Sequence, residues 1–118
     1  MPPALHVVAE LPQFLRDVAA VDLSEAEHRT IIDAIAANPR QGDEIRGSGG
    51  VRKVRFAGRG KGKSGGYRAI TAYFGPDAPV YLLALLSKGE RGNFTAAEIA
   101  AFKSLTSTIA RYWRGRTT

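Results

Sequence analysis

The sequence predicts an α+β fold: an antiparallel sheet in the order β-α-α-β-β-β-α, with an N-terminal helical hairpin and a C-terminal helix. Three observations carry this. Two Ser/Thr-x-x-Glu capping signals, Ser24 with Glu27 and Thr95 with Glu98, each open an apolar run at helical spacing. Three β-prone stretches follow one another between glycine-rich turns. The 118 residues, 44% of them hydrophobic, form a chain of one-domain length with enough apolar material for a core. The reading is a single domain over residues 1–118.

Taken in order, Ala4–Ala9 reads as a short strand. Pro12 suits a first helical turn, and Leu11, Phe14, Leu15 and Val18 continue at helical spacing over 12–20. The helix after Ser24 carries Ile31, Ile32 and Ile35 and stops near Asn38-Pro39. The tight link Val21-Asp22-Leu23 makes these two helices a hairpin. Gly47-Ser48-Gly49-Gly50 is a turn. Val51–Phe56 alternates as a strand, with Arg52, Val54 and Phe56 on one face and Val51, Lys53 and Arg55 on the other. Residues 58–66 form a loop rich in Gly and Lys, and Tyr67–Phe74 is β-prone. Gly75-Pro76-Asp77 turns the chain into Val80–Leu86, apolar on both faces as a central strand is. Ile99, Phe102, Leu105 and Ile109 mark the closing helix. Short turns make the last three strands an antiparallel meander, and the helices are expected to cover one face of the sheet.

Charge divides the chain. There are 17 Lys and Arg against 11 Asp and Glu, for a net charge of +6. Residues 1–45 hold three bases and eight acids; residues 46–118 hold fourteen bases and three acids. Arg46, Arg52, Lys53, Arg55, Arg59, Lys61, Lys63 and Arg68 lie within 46–68, with no acid among them. Such a stretch attracts phosphate and steers association, so it points to a nucleic-acid surface. Absence of cysteine excludes disulfide scaffolds, thiolate metal sites and thiol catalysis. No apolar run is long enough to span a membrane, and the first residues lack a signal-peptide pattern, so a cytoplasmic protein without membrane association is expected.

The remaining chemistry is narrow. His6 and His28 have no metal-ligand spacing, and no metal or other cofactor is expected. Ser24, Ser64 and Thr95 have no evident base partner for nucleophilic catalysis. Residues 57–64, AGRGKGKS, match a loose phosphate-loop pattern. A nucleotide loop needs a helix after it, whereas Tyr67–Phe74 reads as a strand, so the segment reads as a cationic hairpin tip. Lysine, arginine and tyrosine remain. They suit phosphodiester transfer without a metal, in which an RNA 2′-OH attacks its own adjacent phosphate. A lysine can serve as base, arginines can hold phosphate oxygens, and aromatic rings can stack bases. A pure binder needs the same residue types.

Lys53-Val54-Arg55-Phe56, then Gly66-Tyr67-Arg68-Ala69-Ile70, then Val80–Leu86 running into Ser87-Lys88-Gly89-Glu90-Arg91 resemble the RelE/ParE superfamily of toxin–antitoxin toxins, in its RelE/HigB-type branch. The resemblance extends over nearly the whole chain in element order. It implies a RelE-like fold and a toxin neutralised by a cognate antitoxin, commonly a DNA-binding one. RelE-like members cut mRNA in the ribosomal A site without metal, so the ribosome and mRNA are implied partners. The resemblance places Lys53 and Arg55 at the two basic strand positions, with Lys53 as general-base candidate because arginine is a poor base. It places Arg68 at the scissile phosphate and Lys88 and Arg91 at further phosphate contacts. Two departures stand out. Gly89 replaces an arginine usual after the last strand, and Phe94 replaces a late tyrosine, keeping the ring without the proton. Tyr67 is a further stacking candidate, and Arg52, Arg59, Lys61 and Lys63 complete the expected nucleic-acid contacts. The leading expectation is a ribosome-dependent mRNA endonuclease. The alternatives are a ParE-like DNA gyrase inhibitor, which needs no catalytic base, and a non-catalytic nucleic-acid-binding protein.

Overall fold

In the computed structural model, residues 5–57, 66–87 and 93–115 are described. The chain opens with a three-residue strand, β1 (Val8–Glu10), shorter and later than Ala4–Ala9, so His6 precedes the strand. Helix α1 (Pro12–Ala20) follows with its proline in the first turn, where a missing N–H costs nothing. Helix α2 (Glu25–Ala37) opens on the expected capping box, with both reciprocal bonds between Ser24 and Glu27 present. It ends at Asn38, immediately before Pro39. Then come β2 (Asp43–Glu44), β3 (Val51–Ala57), β4 (Gly66–Ala72), β5 (Val80–Ser87) and α3 (Ala96–Arg114). Thr95 and Glu98 close the second capping box, at the start of α3.

The sheet order is β1-β5-β4-β3-β2. The β3-β4-β5 meander is antiparallel as expected. Two features modify the all-antiparallel expectation. β1 pairs with β5 in parallel, which makes the sheet mixed. The two-residue β2 adds a fifth, edge strand antiparallel to β3. Parallel pairing follows from connectivity, because the long excursion from β1 to β5 brings the two strands together in the same direction. β2 is too short for periodicity to reveal.

Expected cover on one face of the sheet is corrected to cover on both. One core cluster joins Phe14, Ile31 and Ile35 of the helical hairpin to Val54, Ala69, Val80, Leu82 and Leu85. A second joins Ile45, Val51, Ile70, Ala72 and Leu83, with Ile99 and Phe102 of α3 packed against it. Adjacent residues such as Ala69 and Ile70 fall in opposite clusters, as strand alternation requires. β5 is apolar on both faces and therefore needs cover on both. The register jumps at β5: Thr71 pairs with Leu82 but Ile70 with Ala84, so Leu83 is an extra, bulged residue.

Three contacts fix the outer elements. Asp17 Oδ2 on α1 accepts the Leu85 backbone N–H at 2.9 Å, capping β5 beyond the end of β1. The Ser48 side chain, fully buried, accepts the Val51 N–H at 3.0 Å and pins the turn before β3. The Thr106 hydroxyl of α3 donates to the Ser48 carbonyl at 3.1 Å, docking the helix on that same turn. No helix among the described residues is long and apolar enough to cross a membrane.

Candidate nucleic-acid interface

β3 places alternate residues on opposite sides. Val51 belongs to the α3-side cluster and Val54 to the hairpin-side cluster, so Lys53 and Arg55 share the α3 side with Val51. On β4, Ile70 and Ala72 belong to the α3 side, and Arg68 alternates with them onto that same side. Register completes the arrangement. Arg55 lies directly opposite Arg68, and Lys53 directly opposite Ile70. Cβ atoms of directly opposed residues lie about 5 Å apart. Residues two apart on one strand are separated by about 7 Å. Lys53, Arg55 and Arg68 thus form a compact cationic corner, floored by the apolar side chains of Ile70, Ala84 and Leu86.

Arg55 is exposed, and Lys53 and Arg68 are half-buried. Like charges opposed across a strand pair are unfavourable. The arginine pair therefore carries a cost that a purely structural sheet has no reason to bear, and an anion placed between the two would relieve it. Phe94 belongs to this side. It is half-buried, and its ring meets Phe102 edge-to-face at a centroid distance of 5.2 Å.

Other expected residues are not brought to the corner. Tyr67 packs on the hairpin-side cluster, opposite Phe56 in register. Arg52 lies on that side too; its Nη1 donates to the Gly42 carbonyl at 3.1 Å and its Nη2 is 3.9 Å from Glu44 Oε1. Arg59, Lys61, Lys63, Lys88 and Arg91 lie outside the described residues. Both histidines have bonded partners away from the corner. His6 Nε2 is 2.7 Å from the Ala78 carbonyl, and His28 Nε2 is hydrogen-bonded to Glu10 Oε2. Among the described residues, no group of three or more His, Asp or Glu side chains is placed to hold a metal ion.

One residue at the corner escaped the sequence reading. Asp43 of β2 lies directly opposite Lys53 and therefore shares its side of the sheet. Nine residues, a glycine turn among them, lie between the two, and only strand register relates them.

The fold and the corner together define a small basic α+β protein that presents cations on one side of a mixed sheet, suited to a polyanionic partner. The family model for the RelE toxin of the RelE/RelB toxin–antitoxin system matches residues 13–115. The chain belongs to the RelE toxin family, whose toxins pair with an antitoxin. Among solved structures it is similar to a double arginine-to-alanine mutant of the E. coli toxin RelE in the free state. The TM-score is 0.52 at 16% identity, covering 86% of this chain and 96% of that one. At this identity the likeness concerns the fold.

Proposed function

We propose that this toxin is a ribosome-dependent mRNA endonuclease that inhibits translation by metal-independent attack of an RNA 2′-OH on the adjacent phosphodiester. The observation that carries the reading is the clustering of Lys53, Arg55 and Arg68 on one side of the sheet, with the two arginines opposed in register. Family membership supports it.

The corner supplies what the reaction needs. The Lys53 amine takes the 2′-OH proton as the 2′ oxygen bonds to phosphorus. Charge grows on the non-bridging oxygens, and two guanidinium groups hold and neutralise it. The P–O5′ bond then breaks, leaving a cyclic phosphate on one fragment and a 5′-OH on the other, with a proton delivered to the departing oxygen. Orientation in line comes from the mRNA as the ribosome holds it. Phe94 offers a ring edge beside the corner for base contact.

The test adds purified protein to a cell-free translation reaction and maps mRNA 5′ ends by primer extension. Wild type runs beside a Lys53→Ala/Arg68→Ala double variant, with and without ribosomes. Cuts that need ribosomes and vanish in the double variant are expected. Intact mRNA with wild-type protein overturns the reading and directs attention to gyrase inhibition. Salt-sensitive RNA binding without cleavage leaves a binding module.

A further inference from the structure

Four aromatic side chains gather at the end of the sheet away from the cationic corner. Trp113 of α3 donates its indole N–H to Tyr81 Oη at 2.7 Å, which fixes the ring. Tyr81 meets Phe74 edge-on at 5.7 Å, and Trp113 meets Tyr112 edge-on at 5.1 Å. Between the β4–β5 turn and the last turns of α3 lies a cleft of about 270 Å³. Phe74, Pro76, Ala110 and Trp113 make its apolar walls, and Asp77 and Arg114 supply its charges. Arg68 and Ala72 stand four residues apart on β4, about 13 Å, and the cleft lies beyond Ala72, so it is separate from the corner.

We propose that this cleft is a guanine-binding subsite for single-stranded RNA: the base enters between the aromatic walls, Asp77 accepts from its N1–H and N2–H groups, and Arg114 meets the phosphate. RNA as the source of that base rests on the endonuclease reading; the affinity of the cleft for guanine does not.

Aromatic walls stack any base, whereas a carboxylate selects among them. It only accepts, through two oxygens. Guanine alone of the four RNA bases offers two adjacent donors on its Watson–Crick edge. Adenine and cytosine offer one amino group beside an acceptor nitrogen, and uracil offers one N–H between two carbonyls. Asp77 is exposed, and among the described residues no partner holds its carboxylate. The same charge repels a phosphate, so the RNA backbone lies toward α3. There Lys103, Ser107, Ala110 and Arg114 recur at i, i+4, i+7 and i+11, and one helix flank with a cation at each end runs into the cleft. α3 holds no acid after Glu98. A guanidinium carries five donors, so a phosphate shares Arg114 with its contacts inside the chain. An acidic peptide with an apolar anchor fits the walls and the cations, but Asp77 repels its carboxylates. Guanine uses every group in the cleft.

Trp113 is the only tryptophan of the chain, so its fluorescence reports on the cleft directly. The full chain is titrated with GMP, AMP, CMP and UMP. Saturable quenching is expected, with GMP binding roughly tenfold more tightly than the other three. Asp77→Asn is expected to weaken GMP roughly 10- to 100-fold and to erase the preference, with an unchanged thermal melt. Arg114→Ala is expected to weaken GMP and leave guanosine nearly unaffected, and Arg55→Ala at the corner leaves the titration as it is. Equal quenching by all four nucleotides, none at millimolar GMP, or a wild-type titration in Asp77→Asn overturns the subsite. Quenching by a short leucine-containing acidic peptide and not by GMP also overturns it, in favour of a protein partner. A second arm finds the source of the base, using ribosomes programmed with mRNAs whose single guanine is moved stepwise from the cut. A cleavage rate that follows the guanine in wild type but not in Asp77→Asn assigns it to the mRNA. Ribosome affinity that falls in Asp77→Asn with every mRNA assigns it to ribosomal RNA. No effect of Asp77→Asn in either measurement overturns the role toward RNA. Wild-type protein that leaves mRNA intact overturns the endonuclease reading instead, and the nucleotide titrations still decide the cleft.

Discussion

A methyl group added at Gly49 would meet Thr106 Oγ1 at 2.3 Å, and the backbone there has φ +80°. Both facts matter because this turn feeds β3 and receives α3. Gly49→Ala is expected to destabilise the fold by about 1–3 kcal/mol from backbone strain alone, checked by urea unfolding. At the proposed site, the expected effects fall on cleavage rather than on folding. Lys53→Ala is expected to slow cleavage about 100-fold or more while the thermal melt stays near wild type. Arg68→Lys keeps the charge but loses the planar fork. It is expected to recover only part of the activity lost in Arg68→Ala, measured in the same primer-extension assay.

Elements are held by a few directional bonds on top of apolar burial. α3 meets the turn before β3 through Thr106 and the sheet through Trp113, whose Nε1 donates to Tyr81 Oη at 2.7 Å. Thr106→Val keeps the shape and removes the donor to Ser48. A loss of about 1 kcal/mol is expected in denaturant unfolding. α1 is tied to β5 by Asp17, and Asp17→Ala leaves the Leu85 N–H without its charged acceptor. That change is expected to cost about 2 kcal/mol, and faster amide exchange at Leu85 localises the effect. β2 matters through position rather than length. Two residues suffice to set Asp43 opposite Lys53 and Glu44 opposite Arg52 in register.

Charge organises the whole molecule. The helical hairpin belongs to the acidic first part of the chain, while β3, β4 and α3 belong to the basic remainder. The resulting field orients the protein toward a polyanion with the cationic corner leading. Binding to ribosomes or RNA is expected to weaken as salt rises. Arg55→Ala is expected to lower the slope of log K against log salt by roughly 0.7–0.9, one phosphate contact, in filter-binding titrations. Arg52→Ala is expected to change that slope less, because Arg52 lies on the other side and already meets Glu44 and the Gly42 carbonyl.

Local signals made much of this protein legible from its sequence. Ser24–Glu27 and Thr95–Glu98 announce helix starts because capping is settled within four residues. Pro12 and Pro39 mark boundaries through fixed geometry and a missing donor. The alternation of Val51–Phe56 separates Lys53 and Arg55 from Val54 because strand side chains have a period of two. The motif around Lys53, Arg68 and Val80–Leu86 pointed to the family. Pairing was decided by tertiary structure alone. Residues 67–74 are apolar on both faces, so only register against β3 assigns Arg68 to the side of Lys53 and Tyr67 to the other. The same holds for the parallel seat of β1, the second helical layer made by α3, the bulge at Leu83 and the placing of Asp43 opposite Lys53. Each joins residues distant in the chain, and backbone hydrogen bonding brings them together without leaving a periodic trace in the sequence.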